Sequence, residues 1–424
     1  MNPVSIDDLD TLSQIFIGQL LKADFSGAFT QFDELMKKSM GETKLKELWD
    51  DVTYESGTLL QIIPTRSSEK DNYKIIVIQC RFQRFDVDVQ LVFNEQSQIS
   101  GLNFTPIKNV YKPPLYVNES LFYDVDVEVG EGKWALPGTL SIPTGSDQFP
   151  GVVLVHGSGP NDRDESIGPN KIFRDLAWGL ASQGICVLRY DKMTFKHAKQ
   201  LTPEMIENMT VKEEVIDDAL LALKLIRNTD DIDTKRIFLL GHSLGATVAP
   251  RIALQDPDLA GIIIMAGLIR SLEDTILDQF TYIYNLNGKI TAQQKAELKT
   301  LKEKVDRLKD PDYKDKITPQ DLPLGVPIAY WRDLQNNKPL DAVKKLNLSI
   351  LILQGGRDYQ VLESIDFEGW KNALNDRTNV NFKLFPKLNH LFISGKGKST
   401  PEEYTIEGHV DEEVITTIVR FLND

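Results

Sequence analysis

The stretch RIFLLGHSLGATVAPRIA, residues 236–253, constrains this chain more than any other, because it reads as a buried strand, one tight turn and a helix. Ile237 to Leu240 form a short apolar run and Ala246 to Ala253 favour helix, so Gly241-His242-Ser243-Leu244-Gly245 must join the two. A strand that feeds into a helix through so short a turn leaves room only for glycine beside its apex. Ser243 is expected at that apex, at the N-terminus of the helix. Unpaired N–H groups and the helix dipole favour developing negative charge there. A serine so placed is set up as a nucleophile.

Such a serine needs a base, a group that orients the base, and donors for an oxyanion. The chain offers five histidines. His156 begins the loop HGSGP after the apolar run Val152–Val155, His242 is part of the turn itself, and His197 lies upstream in a polar, helix-like stretch. His390 and His409 remain. His390 follows the strand-like Val380–Phe385 and a turn at Pro386, whereas His409 sits in polar EGHVDEE, so His390 is favoured as the base. The acid belongs between serine and histidine in the chain. Asp358 meets that order in QGGRDYQV, just past the buried run Leu348 to Leu353. Helix capping is the plain alternative for it, with Glu363 and Asp366 as the next candidate acids. For the oxyanion, the expected donors are the backbone N–H groups of Ser158, in HGSGP, and of Leu244, after the nucleophile. No G-x-x-x-x-G-K-[ST] or G-x-G-x-x-G pattern follows that strand, which argues against a phosphate-binding loop.

These residues lie within an ordered set of longer motifs. They are HGSGPNDRDE (His156–Glu165), GPNKIFRDLAWGLAS (Gly168–Ser182), VLRYDK (Val187–Lys192), GHSLG with APRIA (Gly241–Ala253), QGGRDYQV (Gln354–Val361) and LNHLF (Leu388–Phe392). With them, residues 115–424 resemble a bacterial α/β-hydrolase esterase family. The resemblance implies an α/β-hydrolase fold, Ser243, Asp358 and His390 as a catalytic triad, and hydrolysis of carboxylic esters. Residues 6–105 resemble a small domain of unknown function often fused in front of such hydrolases. Two positions depart from the pattern: Ala246 replaces a usual second glycine, and Met193 replaces a basic residue often found after the strand-end DK. A peptidase, a thioesterase or an acyltransferase would share the machinery. A binding protein that merely kept the fold would need none of it.

Composition narrows the rest. At 424 residues the chain exceeds one typical domain, and 41% hydrophobic with 26% charged residues marks an ordinary globular protein. A net charge of −14 argues against nucleic-acid and anionic-membrane partners, leaving a small-molecule ester as the expected partner. No apolar run of about eighteen residues and no basic-then-apolar leader is present, so a cytoplasmic location is expected, with an exported mature form as the alternative. Cys80 and Cys186 sit in strand-like runs and read as buried free thiols. No Cys/His cluster or H-E-x-x-H suggests a metal, and no cofactor is expected.

Periodicity divides the chain into an α+β domain over 1–105, a linker over 106–120 and an α/β domain over 121–424. In the first, Leu9, Leu12, Phe16 and Leu20 step as one helix with Ser5 as N-cap. Phe25, Phe29, Phe32 and Met36 suggest a second helix, and Leu45 to Trp49 the end of a third. Strands are expected at 58–63, 73–82, around the alternating Phe85–Phe93, and at 98–104. In the second domain, strand and helix alternate except over residues 270–340. There a stripe of Leu298, Leu301, Val305 and Leu308 precedes DLPLGVPIAYW. This is expected to be a helical cap above the strand C-termini, with a homo-oligomer contact as the alternative use of the stripe. Tyr330 and Trp331 within it are candidates to line an acyl pocket, against plain packing. No candidate catalytic residue falls in 1–105, so that domain is expected to serve assembly or covering rather than chemistry.

Overall fold

The computed structural model describes residues 6–70, 72–82, 85–107, 111–145, 148–310 and 318–424. One compact unit runs up to Lys112 and takes in 167–170 and 404–407; the second holds 113–166, 171–403 and 408–424. Ser5, the expected N-cap, lies outside the described residues.

The first unit is helices followed by an antiparallel meander. Helices α1 (Ile6–Leu21), α2 (Phe25–Thr30), α3 (Glu34–Ser39) and α4 (Glu42–Ser56) precede strands β1 (Leu59–Lys70), β2 (Tyr73–Phe82), β3 (Asp86–Phe93) and β4 (Ile99–Ile107). The strands pair in sequence order. Alternate residues Ile76, Ile78, Cys80 and Phe82 of β2 and Val87, Val89, Leu91 and Phe93 of β3 are buried with Phe16, Phe32 and Trp49 from the helical layer. Period-two burial on one face is what a sheet covered on one side requires. Two expectations need correction. The second helix is two short ones, because Asp33 caps a new helix start by accepting from Met36 N, and Phe32 bridges to Ile99 instead. Leu45 to Trp49 lies in the first half of α4, which continues to Ser56 before Gly57, at φ 84°, ends it.

The second unit is an eight-stranded sheet with helices between its strands. Its strands are β5 (Phe122–Val129), β6 (Leu136–Pro143), β7 (Phe149–Val155), β8 (Cys186–Tyr190), β9 (Ile232–His242), β10 (Gly261–Met265), β11 (Ser349–Gly355) and β12 (Val380–Phe385). Their order across the sheet is β12-β11-β10-β9-β7-β8-β6-β5; β7 to β12 run parallel, and β5 and β6 antiparallel. Every residue of β7, β8 and β10 is buried, the unbroken apolar pattern of strands covered on both faces. Residues 113–120, expected as linker, belong to this unit: the Tyr116 hydroxyl donates to Val410 O at 2.8 Å and Asn118 N to Ser182 Oγ at 2.9 Å.

The chain moves from β7 to β8 on one side and returns to β9 on the other. That reversal is a topological switch point at the C-terminal ends of β7 and β9, the place where open α/β sheets bind their ligands. HGSGP leaves β7 at this point and the Ser243 turn leaves β9.

The 270–340 segment forms helices α5 (Leu272–Asn285), α6 (Ala292–Lys309) and α7 (Ile328–Asn336), with 311–317 outside the described residues. Ile276, Leu308, Leu322 and Trp331 make its own small core, with Leu301 packed against them. Two residues of the α6 stripe, Leu301 and Leu308, therefore pack inside the insertion. Among the described residues no helix is long and apolar enough to cross a membrane.

Candidate active site

The turn after β9 is built by steric necessity. Ser243 adopts φ 53° and ψ −112°, a strained backbone for a residue with a side chain. A methyl on Gly241 would lie 2.3 Å from the carbonyl of Gly245, and one on Gly245 would lie 2.2 Å from Val155 O. Only glycine at both positions lets strand and helix close on each other and on β7. The helix that follows, Leu244–Ala253, packs against β9 and β10 and carries Pro250 without being ended by it. Ala246, the departure from the usual glycine, is fully buried in the core.

The structure brings Asp358 and His390 together. His390 Nδ1 and Asp358 Oδ2 are 2.7 Å apart, both residues buried. Oδ2 also accepts from Gln354 Nε2 at 3.2 Å, and Oδ1 from the backbone N–H of Gln360 at 2.7 Å and of Val361 at 3.0 Å. The carboxylate is thus held on both oxygens, and its position is set by the loop after β11. Ser243 is half-buried, and the preceding His242 reaches His390 O with Nε2 at 3.0 Å. Ser243 Oγ and His390 Nε2 hydrogen-bond to no described residue.

The loop after β7 is organised by its carbonyls. Lys192, 2% exposed, donates from Nζ to Gly157 O at 2.9 Å and Gly159 O at 3.0 Å, and pairs with Glu214 at 3.0 Å. Asn161 Nδ2 lies within 3.1–3.3 Å of the carbonyls of Gly157, Ser158 and Gly159. A trans peptide points its N–H opposite its C=O, so fixing Gly157 O on Lys192 turns Ser158 N–H away, outward. By the same geometry Ser243 O, which accepts from Thr247 N at 3.0 Å, turns Leu244 N–H outward. Among the described residues neither amide finds a protein acceptor. Gly157 also abuts Ser243, since a methyl there would sit 3.1 Å from Ser243 Cβ.

The other histidines are occupied elsewhere. His156 is buried with Nε2 3.1 Å from Asp162 O, and burial pushes its ring down to about 4. His197 Nε2 lies 3.2 Å from Ala135 O. His409 Nδ1 is 3.0 Å from Asp175. Asp366, an alternative acid, is fully buried against Arg270 and accepts from the amides of Ile269 and Leu362. Of the two aromatics expected as candidates for a pocket wall, Tyr330 is half-buried and Trp331 is buried. The Tyr330 hydroxyl bonds Glu214 Oε2, and Trp331, 1% exposed, fills the insertion's own core.

Sequence reasoning passed over four residues of this region. Lys192 and Glu214 hold the loop after β7, and Glu165 and His242 tie that loop to the backbone of His390. Of these, Lys192 and Glu165 lie inside the quoted motifs VLRYDK and HGSGPNDRDE, which were the available signal; nothing local to the chain marks Glu214. The remaining members of DRDE are anchors: Asp162 accepts from Ser166 N, Arg163 pairs with Asp191 at 3.1 Å, and Asp164 with Arg189, Lys171 and Arg174. Among the described residues no group of three or more His, Cys, Asp and Glu side chains is arranged to hold a metal ion.

Comparison with known proteins agrees with this architecture. Residues 152–395 match the family described as serine aminopeptidase, S33, and residues 13–102 match a protein family of unknown function, DUF3887. Esterase EstD of Thermotoga maritima is 37% identical over 409 residues, which is 96% of this chain and 94% of that protein. A Pyrococcus furiosus esterase (18% identity, TM-score 0.45, covering 74% of this chain and 98% of that one) has a related structure. So does a Pyrobaculum calidifontis esterase (16% identity, TM-score 0.46, covering 71% and 85%). The family match spans more than half of the chain and the relative nearly all of it: this protein belongs to the serine aminopeptidase S33 family of α/β-hydrolases, with a DUF3887 domain before the hydrolase domain.

Proposed function

We propose that this protein is a serine esterase that cleaves carboxylic esters through an acyl-enzyme on Ser243. The observation that carries the reading is the 2.7 Å hydrogen bond between His390 Nδ1 and Asp358. It supports a proton on Nδ1, donated to the carboxylate, with Nε2 as the basic nitrogen. The ester as substrate is supported by the near full-length likeness to an esterase.

Acyl transfer then runs in two halves. His390 Nε2 takes the Ser243 proton as Oγ bonds to the ester carbonyl carbon, and the carbonyl electron pair moves onto oxygen. The N–H groups of Ser158 and Leu244 hold that oxyanion, and Asp358 stabilises the imidazolium. His390 then gives its proton to the departing alkoxide as the C–O bond breaks. Water repeats the attack, loses its proton to His390 and releases the acid, returning the proton to Ser243.

The insertion over 270–340 serves in this reading as a gate on substrate size. Its first helix is tied to the loop that carries Asp358, since Gln279 Nε2 donates to Gln360 O at 3.2 Å and Tyr282 stacks on Tyr359 with ring centroids 5.0 Å apart; Arg270, just before that helix, pairs with Asp366.

A fluorophosphonate tests the nucleophile directly. It should add one adduct, on the peptide holding Ser243, and Ser243→Ala should lower kcat by roughly 10⁴ to 10⁶ with the fold intact. An adduct elsewhere, or an active alanine variant, overturns the assignment. Matched p-nitrophenyl ester, thioester and anilide substrates decide the acyl class; faster turnover of the anilide would make the protein a peptidase.

A further inference from the structure

A buried carboxylate and a buried imidazole next to this site have no part in the steps above. Glu165 and His242 are each 1% exposed. Glu165 holds φ 46°, in the left-handed region, and its side chain reaches the loop after β7. Its Oε1 accepts the Gly157 N–H at 2.6 Å, and its Oε2 lies 3.2 Å from His242 Nδ1. His242 Nε2 in turn lies 3.0 Å from His390 O. Three segments that are far apart in the chain meet on these two side chains: the turn bearing Ser158, the turn bearing Ser243, and the backbone of His390.

Counting protons assigns the pair's state. A backbone carbonyl has no proton to give, so His242 Nε2 must carry one and donate it to His390 O. The contact at Nδ1 needs a further proton, held either by the ring or by the carboxyl group. Oε1 already accepts a short bond from Gly157, which favours the ionised carboxylate. Burial alone would push the His242 ring down, but the charge and hydrogen bond of Glu165 outweigh it and hold the ring above its ordinary value. Burial likewise pushes Glu165 up, and His242 outweighs that and holds it low. The other ionisable groups facing the pair are Asp358, His156 and the ring of His390, whose centroid is 4.8 Å from that of His242. A buried ion pair adds little net stability, because desolvation offsets its attraction. Its use at this place is geometric.

We propose that Glu165 and His242 are positioning residues, a buried carboxylate–imidazolium pair that locks the oxyanion turn and the backbone of the base in one register with the nucleophile. The proposal rests on the triad reading above. Neither residue touches substrate. Glu165 acts through the Gly157–Ser158 peptide, and His242 through the His390 carbonyl.

Two substitutions separate geometry from charge. In Glu165→Gln the amide oxygen keeps the Gly157 bond, and the amide nitrogen donates to Nδ1 of a neutral His242 whose Nε2–H still reaches His390 O. All the bonds survive without charge. In Glu165→Ala the Gly157 N–H and the His242 ring lose their acceptor together. The full-length Glu165→Ala variant should lose about 10²-fold in kcat on a p-nitrophenyl ester with KM changed less than about threefold, while Glu165→Gln should stay within about tenfold of wild type. Nitrogen NMR of ring-labelled histidine in the wild-type chain, assigned by loss of the signal in His242→Gln, should show both His242 nitrogens protonated at pH 7. It should show one protonated in Glu165→Gln. This measurement stands even if the alanine variant fails to fold. A single protonated nitrogen in the wild type, or a Glu165→Gln variant as inactive as a folded Glu165→Ala, overturns the proposal. So does a kcat loss below about tenfold in Glu165→Ala. The Ser243→Ala variant run beside them reports on the triad reading separately: if it stays active, that reading fails rather than this one.

Discussion

Replacing Asp358 with asparagine changes one atom and should remove nearly all activity. The carboxylate accepts from two backbone amides on Oδ1, Gln360 N at 2.7 Å and Val361 N at 3.0 Å, and from His390 Nδ1 and Gln354 Nε2 on Oδ2. In Asp358→Asn the single remaining oxygen is drawn to the two backbone amides that Oδ1 already accepts from. The new NH2 group then faces His390. Two donors cannot share that contact, so the imidazole must shift its proton from Nδ1 to Nε2. Nε2 then has no lone pair to take the Ser243 proton, and the imidazolium formed during attack loses its counter-charge. A wrong tautomer of this kind costs about 10⁴ in kcat, which is about 5.5 kcal/mol on the barrier. Stability should change little, because Gln354 Nε2 keeps bonds to Gly355 O at 3.1 Å and Val361 O at 2.9 Å. The assay is kcat on a p-nitrophenyl ester, corrected for active sites, with thermal unfolding as the check on the fold. A folded variant that keeps more than about a hundredth of wild-type kcat would refute the tautomer argument.

Other outcomes follow from packing and burial. Gly245→Ala would put a methyl 2.2 Å from Val155 O and 2.7 Å from His156 O. The backbones must part by about 1 Å, at the upper end of the roughly 1–3 kcal/mol typical of overpacking or beyond it. A fall in melting temperature together with slowed fluorophosphonate labelling is expected, and wild-type values for both would count against the close approach. His156, lowered to about 4 by burial against an unfolded value of 6.5, contributes stability that is fully present above pH 6.5 and is lost as pH falls through 4. At about 1.4 kcal/mol per unit this is about 3 kcal/mol between pH 7 and 4. His156→Gln keeps a donor for Asp162 O and removes the titration. Urea unfolding at the two pH values should show that much less acid destabilisation in the variant; equal losses would mean that the ring is not buried neutral.

What the chain alone determines here is local or ordinal. Apolar runs such as GIIIM and SILIL carry no alternation, so strands buried on both faces were legible, and with them a largely parallel sheet. Glycines at 241 and 245 announced a strand and helix in close approach, and the order of Ser243, Asp358 and His390 made them candidates before any distance was known. The α+β character of residues 1–105 was legible from period-two and helical stepping. The break inside Phe25–Met36 was not, because Asp33 starts a new helix where the hydrophobic stepping runs on.

Only the tertiary structure decided which side chains meet. Glu165 and His242 are 77 residues apart, and His242 and His390 148 apart. They face each other because β9 enters the sheet beside β7 and because the loops after β11 and β12 lie at the same end of the sheet. Neither fact is encoded in the periodicity of any one segment. His242 looked like a turn residue with no task, since from its own neighbours it is one. Trp331 looked available to a ligand because an aromatic near prolines carries no mark of what will cover it; Leu308 and Leu322 do. Hydrophobic period reports whether a side chain is buried, whereas the partner of a buried polar group depends on the sheet order that brings distant loops to one edge.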